Sequence, residues 1–333
     1  MKTSIACIGS GFVGGSLQTV FAERDLNVYA FDKAGKRGIG VNPRQFLSIT
    51  HLIEVCERDT TFSGIVFLCL PTPMIVDTGE CDLSIVEGAL KEISRIAQKD
   101  TVVVCKSTMP PGSTVNFNRM LAGTKVSVIQ SPEFLKEATA LDDMRNQDRI
   151  VLGGEPHATR RARFLFSQAF PNVPIVECDS TTSEMVKYVA NCYLAVKVSY
   201  ANEVFQICEK LGLEYNKVIE IATLDKRLGS SHWQVPGPML SDDTGKPAMG
   251  YGGSCLIKDI NALIRRAKSV GVLPTMMLAS VKKNMEVRPQ KDWKKLEGRA
   301  VSKRQPIHIS VVNTARAYVA RTAKPLMNKL VGA

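Results

Sequence analysis

The run Gly250-Tyr-Gly-Gly-Ser-Cys-Leu-Ile-Lys-Asp259 sets one thiol, one ammonium and one carboxylate within about a helical turn of each other, behind three glycines. Apolar residues at 260, 263, 264 and 267 follow at helical spacing, so Cys255 is expected where a Gly-rich turn opens onto a helix. Glycines let backbone approach a ligand closely. A helix N-terminus and a neighbouring ammonium, here Lys258, both lower a thiol pKa and favour the thiolate, the nucleophilic form of cysteine. A lone cysteine is more often a buried, inert apolar residue. The glycines, Lys258 and Asp259 around this one turn the balance toward chemistry.

A second constellation lies at the N-terminus. Ser4 to Ile8 reads as a buried strand, Gly9-Ser-Gly-Phe-Val-Gly14 follows, Gly15 to Glu23 reads as a helix, and Leu26 to Phe31 as a strand ending in Asp32. In this setting a G-x-G-x-x-G supplies a tight turn, a close approach for a pyrophosphate and close helix packing. The phosphates would lie on the helix N-terminus. Asp32, 23 residues after Gly9, is placed to accept from a ribose 2′-hydroxyl, which favours NAD over NADP. Lys33, Lys36 and Arg37 follow closely and weaken that preference.

These two sites need elements to hold them. Apolar runs at 64–70, 101–105, 126–129 and 149–152 read as strands, with a helix over 83–98 between the first two. Alternating strands and helices predict an α/β fold with a parallel, doubly wound sheet, whose ligands bind beyond the carboxyl ends of the strands. Thr72, Ser107-Thr108 and Glu133/Glu137 fall at three such ends. Each alone could be turn chemistry; their shared position argues for a site. Further on, Thr181-Thr-Ser-Glu184 fits a capping box and opens a long helix from Met185 to Leu211, closed by Gly212. Its apolar face is expected to be Met185, Val189, Ala190, Leu194, Val198 and Ala201. Lys187 and Asn191 share a face at i and i+4, either as a solvated stripe or as site residues.

The chain has 333 residues, 44% of them hydrophobic, enough for two domains and a short third piece. Three segments are expected: a Rossmann-like dinucleotide-binding domain over 1–180, a central helix with a helical dimerisation and catalytic domain over 181–298, and a short basic C-terminal segment over 299–333. The N-terminus runs straight into the glycine motif and does not read as a signal peptide. No apolar run reaches membrane-spanning length. Nine scattered cysteines without CxxC suit a reduced, cytoplasmic setting, and four separated histidines offer no metal-ligand spacing. Net charge is +11, concentrated after residue 280, where 13 Lys and Arg face three acids. That tail is a solvated face, an anion site or a nucleic-acid patch; without aromatic interleaving the last is poorly supported.

Taken in order, the motifs carry a resemblance. They are Gly9–Gly14, Leu70-Pro-Thr-Pro73, Lys106-Ser-Thr108 with Pro110 to Gly112, Ser131-Pro-Glu-Phe-Leu135, Asp148-Arg-Ile150, Ser183-Glu-Met-Val-Lys-Tyr188 with Asn191, Asn202-Glu203, Asp225-Lys-Arg-Leu-Gly229 and Gly250–Asp259. Over roughly residues 1–270 the chain resembles the UDP-glucose 6-dehydrogenase and nucleotide-sugar dehydrogenase family. The resemblance implies a four-electron oxidation of a nucleotide-linked hexose, UDP-glucose above all, using two NAD in sequence. Relatives acting on GDP-mannose or UDP-N-acetylhexosamines share the same residues; the rival readings are a non-catalytic dinucleotide-binding scaffold and a two-electron hydroxyacid dehydrogenase, which would need no thiol nucleophile. Cys255 would capture an aldehyde and pass through a thioester. Lys187 and Asn191 would stabilise oxyanions, and Asp259 and Glu133 would hold the hydrolytic water with Thr108. The cofactor would lie on Gly9, Gly11, Phe12, Val13, Gly14, Asp32, Lys33, Pro71, Thr72, Ser107, Thr108, Glu137 and Lys258. The substrate would meet Glu133, Phe134, Leu135, Lys136, Lys187, Asn191, Tyr251, Gly252 and Gly253, with Arg227 reaching in from the neighbouring subunit of a homodimer.

Several positions depart from the family pattern. Leu256-Ile257 stand where Phe-Pro is usual, Ser16-Leu17 replace Pro-Thr, and the stretch between Asp32 and Pro71 is short. An extra loop, 239–248, precedes the catalytic turn. Where the family carries a third, nucleotide-closing domain, only about 35 residues follow Gly298 here, and they read as a strand over 307–312 and a helix over 314–330. The chain is thus expected to be minimal or shortened, with its basic tail a candidate electrostatic substitute for the missing lid.

Overall fold

Both faces of the first half's strands are apolar, and this dictates what surrounds them. In β1 (Ser4–Ile8) every residue is buried, and α1 (Phe12–Glu23) and β2 (Asn27–Phe31) follow at once. The computed structural model describes residues 2–238 and 245–303. Alternation continues through α2 (Ile49–Arg58), β3 (Phe62–Leu68), α3 (Ser84–Ile96), β4 (Thr101–Cys105), α4 (Ser113–Met120), β5 (Val126–Gln130), α5 (Ala140–Arg145), β6 (Ile150–Gly153), α6 (Pro156–Ala169) and β7 (Ile175–Cys178). Ile65 and Phe67 of β3 pack with α1 and α6, whereas Val66 and Leu68 pack with α2 and α3 on the other side. That period of two is what a sheet covered by helices on both faces requires.

The sheet order is β2-β1-β3-β4-β5-β6-β7. The chain steps from β1 to β2 on one side and to β3 on the other, which makes the gap between the ends of β1 and β3 the topological switch point. The pairs are parallel except β5 with β6, which meet antiparallel at Gln130 and Gly153. The expected all-parallel sheet is corrected there, and β7 was not anticipated. Four-residue strands carry no directional signal in their sequence.

The second half is built on α7 (Ser180–Leu211). The carboxylate of Asp179 accepts from Thr182 N at 2.9 Å and caps the helix, so it starts earlier than the capping box at Thr181 implied. It ends, as expected, at Gly212, whose φ is +69°. Its expected apolar face is only partly inside: Ala201 is buried but Met185 and Val189 are exposed. The buried face instead carries Glu184, Lys187, Tyr188, Asn191, Ser199 and Asn202. Then come α8 (Tyr215–Ala222), α9 (Cys255–Ser269) and α10 (Thr275–Val287). Tyr188, Cys192 and Ala195 form a core with Tyr251, Ile257, Ile260 and Leu263, and Met277, Leu278 and Val281 of α10 pack against it. After α10 the chain returns to the sheet's end, where Met74 N donates to Ala300 O at 2.9 Å and Ser302 N to Met74 O at 2.8 Å. The strand and helix expected after residue 306, and most of the extra loop, lie outside the described residues. Among the described residues no helix is long and apolar enough to cross a membrane.

Glu184 joins the two halves. Its buried carboxylate accepts from Gly112 N (2.5 Å), Thr114 N (2.7 Å) and Thr114 Oγ1 (2.7 Å). It thereby satisfies donors at the start of α4 that would otherwise be orphaned. Glu184→Gln replaces an all-acceptor group by one with a single acceptor oxygen. It should cost about 1–3 kcal/mol of stability, read as a lowered urea midpoint; an unchanged midpoint would show that α7 does not lean on this contact.

Candidate active site

One continuous cleft of about 780 Å³ runs along the carboxyl ends of the strands, from the glycine-rich turn after β1 to Cys255 at the first position of α9. Its dinucleotide end is shaped by absent side chains. Gly9 has φ +92°, and a Cβ there would lie 2.3 Å from Cys69 O; one on Gly14 would lie 2.0 Å from Gly9 O. Gly11 has nothing within 4 Å of such a Cβ and stands open to a ligand. Asp32 closes the turn: Ser10 N donates to its Oδ2 and Ala34 N to its Oδ1, both at 2.8 Å. Thus bound, the carboxylate is held at the cleft wall with lone pairs left for a ribose hydroxyl. Ser107 Oγ donates to Leu70 O at 2.7 Å, and Thr72 Oγ1 to Thr108 O at 2.7 Å. These bonds lace the loops after β3 and β4 together. A turn too tight for side chains, an acid at the second strand's end and laced loops at the switch point fit a dinucleotide.

At the other end, α7 and α9 pack face to face and bring polar groups together. The Asp259 carboxylate, 1% exposed, accepts from Asn191 Nδ2 at 2.5 Å and pairs with Lys258 Nζ at 2.5 Å. Burial alone would pull the Lys258 ammonium down, but Asp259, with Cys81 and Cys255 beyond it, leaves its pKa raised. One turn before Asn191, Lys187 pairs with Glu133 at 3.2 Å, both buried. Thr108 and Glu137 line the same cleft, and Glu137 meets Arg299 at 2.7 Å.

The turn before Cys255 is held by α10 and α7. Asn284 accepts from Tyr251 N at 2.7 Å and donates to Tyr251 O at 2.9 Å, and Gly250 N donates to Asn202 Oδ1 at 3.1 Å. Gly250 has φ +67°, and a Cβ there would sit 2.3 Å from Asn284 Oδ1. Gly252 lies over the buried Arg288 guanidinium, itself paired with Asp292. The expected helix N-terminus at Cys255 is present. The expected low thiol pKa is not: burial pushes it above the ordinary value, outweighing the downward pull of Lys258, with Asp259 adding to the rise.

The cleft brings together Gly9, Gly11, Phe12, Val13, Gly14, Asp32, Lys33, Pro71, Thr72, Ser107, Thr108, Glu133, Glu137, Lys187, Asn191, Cys255, Lys258 and Asp259. Other expected residues stand outside its lining. The Phe134 ring meets two cations, Arg149 at 4.1 Å from the ring centre and Lys187 at 5.5 Å. Leu135 packs on the core, and Lys136 N donates to Asp143. Tyr251 is corrected as a side-chain contact, because its ring is buried in the α7–α9 core, and Gly252 and Gly253 are backbone of the turn. Arg227, with its side chain 88% exposed, pairs with Asp225 away from the cleft. Two cleft cations had escaped notice, Lys106 and Arg299. Lys106 stood in a quoted motif, but nothing local signals its burial; Arg299 arrives only through the return of the chain to Met74.

Comparison with known proteins agrees with this architecture. Residues 3–169 match the NAD binding domain of the UDP-glucose/GDP-mannose dehydrogenase family and residues 181–286 its central domain. UDP-glucose 6-dehydrogenase TuaD of Bacillus subtilis is 32% identical over 305 residues, covering 85% of this chain and 63% of that protein. UDP-glucose 6-dehydrogenase of Rhizobium meliloti is 34% identical over 289 residues, covering 79% and 63%. A solved UDP-glucose dehydrogenase from the archaeon Pyrobaculum islandicum superposes with a TM-score of 0.71 at 30% identity, covering 86% of this chain and 68% of that one. The chain therefore spans about 63% of the length of these two curated relatives. With both domains matched and the cleft formed where they meet, the chain belongs to the UDP-glucose/GDP-mannose dehydrogenase family.

Proposed function

We propose that the protein catalyses the NAD-dependent four-electron oxidation of a nucleotide sugar, UDP-glucose to UDP-glucuronate, with Cys255 as nucleophile. The carrying observation is the single cleft that joins the dinucleotide turn to Cys255, Lys258, Asp259, Asn191, Lys187 and Glu133. UDP-glucose is favoured over GDP-mannose and UDP-N-acetylhexosamines because the curated relatives at 32% and 34% identity are UDP-glucose 6-dehydrogenases.

NAD, held on Gly9–Gly14 and Asp32, supplies the hydride acceptor for each of the two oxidations. The first removes a hydride and a proton from the sugar's primary alcohol and leaves an aldehyde. Lys187 and Asn191 donate to the oxygen as negative charge develops on it. The Cys255 sulfur bonds to the aldehyde carbon as a thiohemiacetal, and loss of a second hydride and proton gives a thioester. Water attacks the thioester and releases carboxylate and thiol. Asp259 and Glu133, fixed by Asn191, Lys258 and Lys187, hold that water with Thr108. Because burial keeps the Cys255 thiol raised, the free protein carries it protonated at neutral pH.

We further propose a homodimer through α7. Val189 (56%), Tyr193 (60%), Tyr200 (58%), Ile207 (52%) and Leu211 (67%) are exposed at four- and seven-residue steps along one side of the helix. Such a stripe marks an interaction surface, and a second copy of the same helix presents the matching stripe.

Three outcomes test these readings. At limiting UDP-glucose the protein should yield two NADH per sugar. Cys255→Ser should cut acid formation by on the order of 10³-fold or more, whereas a two-electron dehydrogenase would give one NADH and tolerate the change. Alkylation of Cys255 by iodoacetamide, followed by mass spectrometry, should keep accelerating beyond pH 9, and Lys258→Met should slow it at pH 8; a midpoint below pH 8 would contradict the raised pKa. Sedimentation should give twice the monomer mass, and Ile207→Asp should halve it; a monomeric parent protein would rule out the dimer.

A further inference from the structure

Lys106 is a buried cation that the scheme above does not use. It follows the last residue of β4, lines the cleft and is 6% exposed. Its ammonium donates to Ser131 Oγ at 3.1 Å and to Pro132 O at 3.2 Å. Those acceptors belong to the two residues just before Glu133, so the contact ties the end of β4 to the turn that leaves β5. The Phe166 ring centre lies 5.9 Å from the ammonium and closes its other side. A buried ammonium is costly, and an apolar residue of similar length would fill the same volume with less penalty. A charge kept at the wall of the cleft, bonded to the turn that carries Glu133, points to work done through Glu133.

We propose that Lys106 is a positioning residue for the reaction: it fixes the Ser131-Pro132-Glu133 turn so that the Glu133 carboxylate stays on Lys187 within the cleft. The order of contacts is Lys106 to Ser131 and Pro132, then along the backbone to Glu133, then 3.2 Å to Lys187. The proposal rests on the dehydrogenase reading for its kinetic consequence, though not for its structural one. The charged and titratable groups around Lys106 are Cys69, Glu133, Lys187 and Cys105. Burial pulls the ammonium down to about 8; Cys69 and Glu133 oppose that pull and Lys187 adds to it. Lys106 is therefore mostly charged at neutral pH, and it loses its charge as pH rises through about 8. Its unfolded value is near 10.5, so between about 8 and 10.5 the unfolded chain binds the extra proton and the charge penalty in the fold fades with rising pH.

The test is a double-mutant cycle of Lys106→Met and Glu133→Gln. NADH formation is followed from pH 6 to 10, and urea unfolding is measured on the same four proteins. Lys106→Met should lower kcat by about 10- to 100-fold, the loss expected when a reacting group is misplaced by about 1 Å, with KM for NAD within about twofold. An alkaline limb near pH 8 should vanish with it. In the Glu133→Gln background the same change should cost less than about twofold, because residues acting through one another are not additive. Equal losses in both backgrounds, or an unaltered pH profile, would overturn the proposal. If the parent protein makes no NADH from any nucleotide sugar, the functional reading fails on its own. The positioning role is then read from unfolding. Non-additive midpoints support it, together with a parent-minus-Lys106→Met difference that rises between pH 8 and 10.5. Additive midpoints or a flat difference reject it. Should Lys106→Met not fold, Ser131→Ala removes one acceptor while keeping the charge; it should reproduce a smaller kcat loss that again disappears with Glu133→Gln, and an undiminished loss there would count against the role.

Discussion

The arrangement hangs on the Asp259 carboxylate. A charge 1% exposed to solvent is tolerable only if paired and hydrogen-bonded. Its two partners come from different places: Lys258 from its own helix and Asn191 from α7, both at 2.5 Å. Meeting that demand fixes how far α7 and α9 can slide or rotate past each other. Cys255 begins the same helix one turn earlier, so the thiol's position relative to Asn191 and Lys187 follows from the same constraint.

This explains why α7 turns its polar side inward. Glu184, Lys187, Asn191 and Asn202 recur at helical spacing, and each finds its partner on a different element: the start of α4, the turn after β5, α9, and the turn before α9. Four tethers along one helix face make α7 a ruler that spaces the sheet's carboxyl edge from the turn before Cys255. An apolar face would bury more cheaply, but it would not specify register in this way. The complementary consequence is an apolar stripe left on the outside of the same helix.

What was legible beforehand was what is local. Gly9–Gly14 with Asp32, and Cys255 with Lys258 and Asp259, each lie in one strand–turn–helix or one helical turn, so spacing alone carries the geometry. The antiparallel meeting of β5 and β6 rests on Gln130 and Gly153, and short strands do not announce their direction. The Glu133–Lys187 and Asn191–Asp259 partnerships span 54 and 68 residues. They depend on which side of α7 is buried, and amphipathic reasoning leaves the Lys187–Asn191 stripe open between water and a site, so the resemblance and not the helix period marks it as functional. The cap at Asp179 was missed because Thr181-Thr-Ser-Glu184 satisfies the same pattern two residues later. Arg299 reaches the cleft through a backbone bridge at Met74 that no motif signals.

The thiol shows the same division between local and global effects. A helix N-terminus and an adjacent ammonium are visible in ten residues and argue for a thiolate. Partial burial at the cleft end of α9, with a carboxylate one turn away, argues the other way and prevails. The two are compatible with one chemistry. A thiol that stays protonated in the free cleft is protected from oxidants and alkylating agents, with which the thiolate is the reactive form. Lys258 pulls the sulfur toward ionisation, but burial and Asp259 outweigh that pull in the free cleft. Under the proposed four-electron oxidation the nucleophile would be made only when an electrophilic carbon is held beside it, leaving the sulfur inert while the alcohol is oxidised and reactive once an aldehyde is there.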